Sequence, residues 1–223
     1  AGALHAILEL PAEHTLQLVG PVDVIQERIS ALSTGDLAPA AALTHRVELI
    51  DAPDVIEMSD KPTAALRSKP NSSMVVGLKL QTEGRSDAFI SAGNTGAQMA
   101  ASTVLLKLHA GLTRPAIATL FPTARQPIVV LDSGANVDCS PQELVQFARL
   151  GAVYAEDVLG RHNPIVGLLS IGEEAEKGNA VVKEANQLLR SAGVNFQGNI
   201  EGRDLPAGGS DRDRYPRRAA GRR

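Results

Sequence analysis

Residues 164–202 read PIVGLLSIGEEAEKGNAVVKEANQLLRSAGVNFQGNIEG. An apolar run, PIVGLLSIG, stops at a charged, Gly-containing loop. Residues 179–192 then carry apolar side chains at helical spacing, and VNFQGNIEG follows as a second strand-like run. Strand, helix and strand in that order is the βαβ unit of a parallel sheet. The strand residues are continuously Val, Ile and Leu rather than alternating, as expected of strands covered on both faces.

The same alternation runs outward in both directions. TLQLVGP (residues 15–21) predicts a strand ending in Gly-Pro, and VDVIQERISAL (22–32) a helix. RVELIDA predicts a second strand. SSMVVGLKLQTEG predicts a helix with Asn71 or Ser72 as N-cap and Gly84 as its stop. DAFISAG predicts a strand, followed by a helix with Ala97, Ala101, Val104 and Leu108 on one face. PAIATLFP and PIVVLDSG predict adjacent strands without a helical crossover. A long helix is expected over 142–159, opened by SPQE, with Ser140 and Glu143 as a capping box and Pro141 at the first helical position. The fold class expected is α/β, with a mostly parallel sheet and helices on both faces.

The chain has 223 residues, 43% of them hydrophobic, no Trp, and one cysteine. That is enough for a large core of Ala, Val, Leu and Ile. The lone Cys139 excludes an internal disulfide and suits a reducing cytoplasm. No apolar run reaches the roughly 20 residues that span a bilayer, and AGALHAILELPAEHT has no basic leader. The net charge of −3 argues against general nucleic-acid binding. Residues 209–223 hold six Arg against two Asp, a balance of +4, so the remainder carries −7. That stretch has no apolar periodicity, and residues 208–223 are expected to form a disordered Arg-rich tail after a domain over 1–207. The chain also reads as incomplete, opening in a helix-like segment and closing in the Arg-rich run.

Ligands of open α/β sheets sit at the carboxyl ends of the strands, and three polar turns fall there. In SAGNTGA, Gly93 and Gly96 allow close backbone approach, the helix start offers unpaired N–H groups, and Ser91, Asn94 and Thr95 add side-chain donors. The combination suits phosphate, or is a plain strand-to-helix turn capped by Asn94 or Thr95. It is neither a Walker loop nor a dinucleotide fingerprint. In LDSGANVDCS, Asp132, Asn136 and Asp138 are either turn formers or one polar wall of a cleft. Cys139 reads as a small buried thiol rather than a nucleophile, since no His partner stands out. In SIGEEAEKGN the charges are either solvated surface, or Lys177 meets an anion and Glu173 orients the lysine. Lys61, Arg67, Lys69, Lys79 and Arg85, against Glu83, are either a solvated face or a dock for an acidic partner. Five carboxylates (Asp132, Asp138, Glu173, Glu174, Glu176) raise magnesium, but no aligned spacing supports a metal site.

MSDKPTAALRSKPNSSM, SAGNTGA, RPAIATLFPT, LDSGANVDCSPQELVQFARLGAVYAEDVLG and VGLLSIGEEAEKGN occur in this order. Together they resemble the acyl-acyl carrier protein:phosphate acyltransferase (PlsX) family of bacterial membrane-lipid synthesis, over residues 1–205. The resemblance implies a three-layer α/β/α sandwich of the isocitrate/isopropylmalate dehydrogenase type, incomplete here, in a homodimer. It implies transfer of a long acyl chain from acyl carrier protein to inorganic phosphate, with the acyl phosphate passed to a downstream membrane acyltransferase. No nicotinamide or other cofactor is implied. The expected place is cytoplasmic, with a peripheral station at the inner face of the membrane. Asn94, Lys177 and Asp132 are expected to be catalytic, and Ser91, Gly93, Thr95, Gly96, Asn136, Asp138 and Glu173 to bind phosphate or substrate. Arg67 and Lys69 would dock the acidic carrier. The family's acidic Gly-rich opening loop and its later D-G-F-T-G-N type loop have no counterpart here; a reading-frame slip, a truncation and a faulty gene model are the alternative origins expected for the Arg-rich run. The alternatives are a phosphate acetyltransferase-like enzyme using acetyl-CoA, and a non-catalytic remnant of the fold.

Overall fold

In the computed structural model, residues 2–32, 39, 43–134, 136 and 138–208 are described. The Arg-rich tail expected over 208–223 lies, apart from Gly208, outside the described residues. The chain divides into two compact units, Ala1–Leu108 and His109–Arg223.

The first unit opens with helix α1 (Gly2–Glu9), strand β1 (Leu16–Gly20), helix α2 (Val22–Leu32) and strand β2 (Val47–Asp51). β1 and β2 pair in parallel, with Leu16 opposite Val47 and Gly20 opposite Asp51, so β1–α2–β2 is a complete βαβ crossover. Leu4 and Ile7 of α1 are buried against Leu16, Leu32, Leu43 and Val47. The end of α1 leaves carbonyls without helical partners. The Arg46 guanidinium meets one of them, donating to Ile7 O, and beyond the helix it donates to Leu10 O, Pro11 O and His14 O. A cation at a helix C-terminus also suits the negative end of the dipole.

Helices α3 (Pro62–Ser68), α4 (Ser73–Thr82) and α5 (Thr95–Leu105) complete this unit. Met74 and Leu78 of α4 pack on Ala97 and Ala101 of α5, with Ile56, Leu66, Phe89 and Leu105 around them. Small residues on α5 let the two helices approach. α4 buries Met74, Val75, Gly77, Leu78 and Leu80, nearly all round its surface, as a core helix does. Its end is a full Schellman motif: Gly84 at φ +70°, with Gly84 N donating to Gln81 O and Arg85 N to Leu80 O. Gly84 is thus the stop the sequence suggested. Ser72 is the N-cap, yet its hydroxyl is buried and makes no cap bond.

The second unit holds strands β3 (Ala118–Phe121) and β4 (Ile128–Leu131), helix α6 (Pro141–Asp157), strand β5 (Ile165–Leu169), helix α7 (Ala180–Leu189) and strand β6 (Asn195–Ile200). β3 and β4 are antiparallel, so this pair does lack a helical crossover. β5 and β6 are parallel around α7, with an irregularity after Val166. Helices α6 and α7 pack on one another, and Phe147 and Ala155 of the first and Ala185 and Leu189 of the second are buried. The expected capping box is present: Ser140 accepts from Glu143 N, and Glu143 accepts from Ser140 N, with Pro141 at the first turn.

The molecule is mixed α/β with parallel pairing, as expected, but the described residues hold three two-stranded sheets rather than one. Residues 87–93 form no strand. Phe89 turns inward instead, its ring lying 2.3 Å from where a Cβ on Gly77 would stand, while Ile90 is 93% exposed. A short apolar run becomes a strand only where another strand offers a ladder, and none does so among the described residues. β5 is not fully buried either: Ile165, Leu169 and, just beyond the strand, Ile171 are exposed, and only Val166 and Leu168 are half-buried. α5 ends at Leu105, so Leu108 falls outside it, and Val104 is exposed.

Candidate functional site

The turn before α5 is held by Asn94, which is buried. Its Oδ1 accepts from Ala97 N at 3.0 Å, the usual N-cap bond. Its Nδ2 faces three carbonyls, Glu57 O at 3.2 Å and Met58 O and Asp60 O at 3.3 Å each. Every polar atom of this side chain is therefore spent on the protein. Asn94 fastens the 57–60 loop to the start of α5 and has no donor left over. Ser91 Oγ accepts from Gly93 N at 3.1 Å, which leaves its proton available. The amides of Thr95 and Gly96 donate to no acceptor among the described residues. They stand at the positive end of an 11-residue helix. Gly96 has a packing reason too, since a Cβ there would stand 3.0 Å from Pro62 Cγ.

Nearby, the two expected docking cations separate. Lys69 Nζ is 2.6 Å from Asp60 Oδ2 and donates to Val55 O at 2.7 Å. The hydrogen bond from Lys69, with help from Glu57 N, holds the Asp60 carboxyl below its ordinary value. Lys69 is thus a brace of the 54–60 loop. Arg67 is exposed and forms no ion pair among the described residues.

In the second unit, Asp132 ends β4 at φ +62°, a conformation that Asp tolerates better than most residues. Its Oδ1 accepts from Asn136 N at 3.1 Å and from Asn136 Nδ2 at 2.7 Å, and its Oδ2 faces Cys139 Sγ at 2.9 Å. Asn136 Nδ2 also reaches Pro115 O. The structure thus brings Asp132, Asn136 and Cys139 together as one loop folded around a carboxylate. Asp138 is exposed, and its carbonyl accepts from Arg114. Arg114 also reaches Glu143 at 3.5 Å. The Ser140 backbone bond and that arginine keep the Glu143 carboxyl below its ordinary value. Burial, then the Asp132 carboxylate, push the Cys139 thiol up to about 11. A thiol this reluctant to ionise is a poor nucleophile near neutrality, as the sequence suggested, although Cys139 is half-buried rather than buried.

The third turn lies at the carboxyl ends of β5 and β6. Lys177 N donates to Glu174 O at 3.0 Å, and the lysine's ammonium has no ion pair among the described residues. Its stem crosses Gly172, where a Cβ would stand 2.8 Å from Lys177 Cγ. The expected Glu173–Lys177 partnership is not found. Glu173 instead lies 3.8 Å from Arg203, which also pairs with Glu201 at 3.1 Å. Arg203 went unnoticed in the sequence, although EGRDL directly after the last strand placed it at this rim. Arg114 was missed as well, although it heads the RPAIATLFPT stretch. Ser170 adds a buried hydroxyl with no hydrogen-bond partner at the end of β5. Among the described residues no cluster of His, Cys, Asp and Glu could hold a metal, so the five carboxylates do not gather.

Residues 1–212 match the family model described as fatty acid synthesis protein. Curated relatives bearing the name phosphate acyltransferase include that of Desulforamulus reducens, 47% identical over 210 residues, covering 94% of this chain and 60% of the relative. That of Elusimicrobium minutum is 45% identical over 210 residues, with 94% and 59% covered. That of Salinibacter ruber is 47% identical over 205 residues, with 92% and 59% covered. The chain spans about 60% of the length of these relatives. Two solved structures share the fold: the EutD phosphotransacetylase from Staphylococcus aureus (TM-score 0.50, 17% identity, 90% of this chain and 73% of that one) and a phosphotransacetylase from Streptococcus pyogenes (TM-score 0.52, 15% identity, 90% and 71%).

Proposed function

The chain belongs to the fatty acid synthesis protein family, and from that premise we propose that it serves transfer of a long-chain acyl group from acyl carrier protein to inorganic phosphate, yielding an acyl phosphate for phospholipid synthesis. The relatives' name, phosphate acyltransferase, supplies the reaction class. The feature of this chain that supports it most is the pair of unspent amides at Thr95 and Gly96, at the mouth of α5. Backbone N–H groups at a helix start bind a phosphate without any side-chain charge.

The chemistry asks mainly for positioning. A phosphate oxygen attacks the thioester carbonyl carbon, the tetrahedral oxyanion collapses, and the carrier's thiolate leaves to take up a proton. No acyl group on the protein is needed, which suits the unreactive Cys139. In this reading the Gly93, Thr95 and Gly96 backbone and the Ser91 hydroxyl bind phosphate or the oxyanion. Lys177 supplies a positive charge to phosphate or to the leaving sulfur. Asp132 and Asn136 shape their loop, with Asp138 on its outer side. Asn94 contributes by holding the turn rather than by touching substrate. Arg67 meets the acidic carrier, while Lys69 braces the loop beneath it.

The same proposal includes a homodimer with the three-layer sandwich arrangement, and delivery of the product to a membrane acyltransferase. It places the protein in the cytoplasm, at the inner membrane face when delivering product. Among the described residues no helix is long and apolar enough to cross a membrane.

The deciding assay offers the protein phosphate with either palmitoyl-acyl carrier protein or acetyl-CoA, and traps acyl phosphate with hydroxylamine. Hydroxamate is expected from the long-chain donor only. Product from acetyl-CoA alone would replace this reading with a phosphotransacetylase, and product from neither would leave a non-catalytic role.

A further inference from the structure

Two asparagines deep in the second unit belong to the 164–202 βαβ stretch but to none of its polar turns. Asn186 on α7 and Asn199 on β6 are 2% and 5% exposed, where an amide is tolerated only if its hydrogen bonds are made. Asn186 Nδ2 donates to Asn199 Oδ1 at 2.8 Å. Asn199 Nδ2 donates to Glu174 O at 2.8 Å. At the other end, Arg190 Nε donates to Asn186 Oδ1 at 3.2 Å.

The direction of this chain is fixed by chemistry. A guanidinium has only donors, so the Asn186 atom facing Arg190 must be its oxygen. Its nitrogen then faces Asn199, whose oxygen must accept. Only the Asn199 nitrogen is left, and it can end only on an acceptor, the Glu174 carbonyl. That carbonyl is also the acceptor for Lys177 N at 3.0 Å, closing the turn from which the lysine projects. Two donors converging on one oxygen, one from the sheet and one from the loop, set the lysine's backbone against β6.

We propose that Asn199 is a positioning residue for Lys177: the Arg190–Asn186–Asn199 chain holds the 174–177 turn so that the ammonium is aimed at the phosphate. This rests on the assignment of Lys177 to phosphate made above. Removing Asn199 Nδ2 takes the sheet's donor from the Glu174 carbonyl, leaving only Lys177 N on it, and lets the turn shift; small misplacements of a reacting group carry large rate penalties. Removing Asn186 leaves Asn199 present but unoriented, a milder fault.

The test compares Asn199→Ala, Asn186→Ala, Lys177→Ala and the Asn199→Ala/Lys177→Ala double variant, each confirmed folded by circular dichroism. Steady-state kinetics with phosphate varied is combined with hydrogen exchange at the Lys177 amide. Asn199→Ala is expected to raise KM for phosphate about tenfold with a smaller change in kcat, and to speed exchange at Lys177. Asn186→Ala should do the same to a lesser degree, and it carries the test should Asn199→Ala not fold. The double variant should be no worse than Lys177→Ala alone, because the asparagine acts through the lysine. If Lys177→Ala is impaired but folded Asn199→Ala is not, or if the two losses add, the positioning role is wrong while the lysine's own role stands. If Lys177→Ala behaves as wild type, the assignment of Lys177 to phosphate falls and the positioning role falls with it.

Discussion

Asn94 and Lys177 sit in turns that look alike in sequence, each Gly-containing and at the mouth of a helix, and they use their side chains in opposite ways. Asn94 spends its oxygen on Ala97 N and its nitrogen on three carbonyls of the 57–60 loop. Lys177 spends only its backbone N–H and keeps its ammonium unpaired among the described residues. Asp132 belongs with Asn94: Asn136 and Cys139 use both its oxygens. The lesson is that a polar side chain at a strand end is not thereby a ligand. In these turns, among the described residues, the Thr95 and Gly96 amides, the Ser91 proton and the Lys177 charge are not taken up by the protein itself.

The contrast breaks most visibly at Asn94. Asn94→Ala removes a cap and the donor shared by three partly buried carbonyls, and should cost about 2–3 kcal/mol in urea unfolding with an unchanged slope. Asn94→Asp keeps the cap but not the donor, and roughly half that loss is expected. A variant of normal stability but dead in turnover would instead make Asn94 a substrate ligand.

A middle-sized effect is expected at Asp132. With the Cys139 thiol held at about 11, roughly 0.1% is thiolate at pH 8, and alkylation by iodoacetamide should be correspondingly slow. Asp132→Ala should speed it several-fold, since a neighbouring carboxylate no longer opposes ionisation. The sign of the linkage also follows. The folded state holds this proton more tightly than the unfolded chain, so the stabilisation is complete below about pH 9 and is lost as pH rises towards 11. An alkylation profile with its midpoint near 9 in the native protein would contradict the burial of this thiol.

The smallest effects should separate Lys69 from Arg67. Lys69→Ala loses a partly exposed ion pair and a carbonyl contact, and should lower stability by about 0.5–1 kcal/mol while leaving carrier affinity intact. Arg67→Ala should do the reverse, weakening acyl carrier protein binding a few-fold at low salt with no change in the melt. Equal carrier affinity in both variants would remove the docking role.

What the sequence made plain was local. The Ser140–Pro141–Glu143 start of α6 and the Gly84 stop of α4 are written within a few residues of where they act. The βαβ units follow from periodicity alone. What stayed hidden depends on partners far along the chain. Residues 87–93 read as a strand because their apolar content fits one, but the ladder a strand needs is not in the segment. Glu173 was paired with the nearest lysine, whereas the fold brings Arg203 to it across the ends of two strands. Asn186 drew no notice in a helix read only for its apolar spacing, and only the fold sets it against Asn199. Asn94 stood out in the sequence as a candidate ligand or cap, but the carbonyls that occupy it lie 34 to 37 residues earlier.

The lysine stem lying across Gly172 has an evolutionary corollary. A single methyl at that spot would collide with methylene groups near the root of the side chain, too close to the backbone to swing clear cheaply. Residues 172 and 177 are therefore bound to drift as a couple. A descendant that acquires alanine at the first must re-route or surrender the cation at the second, and a homologue lacking the lysine is released from keeping the first one bare.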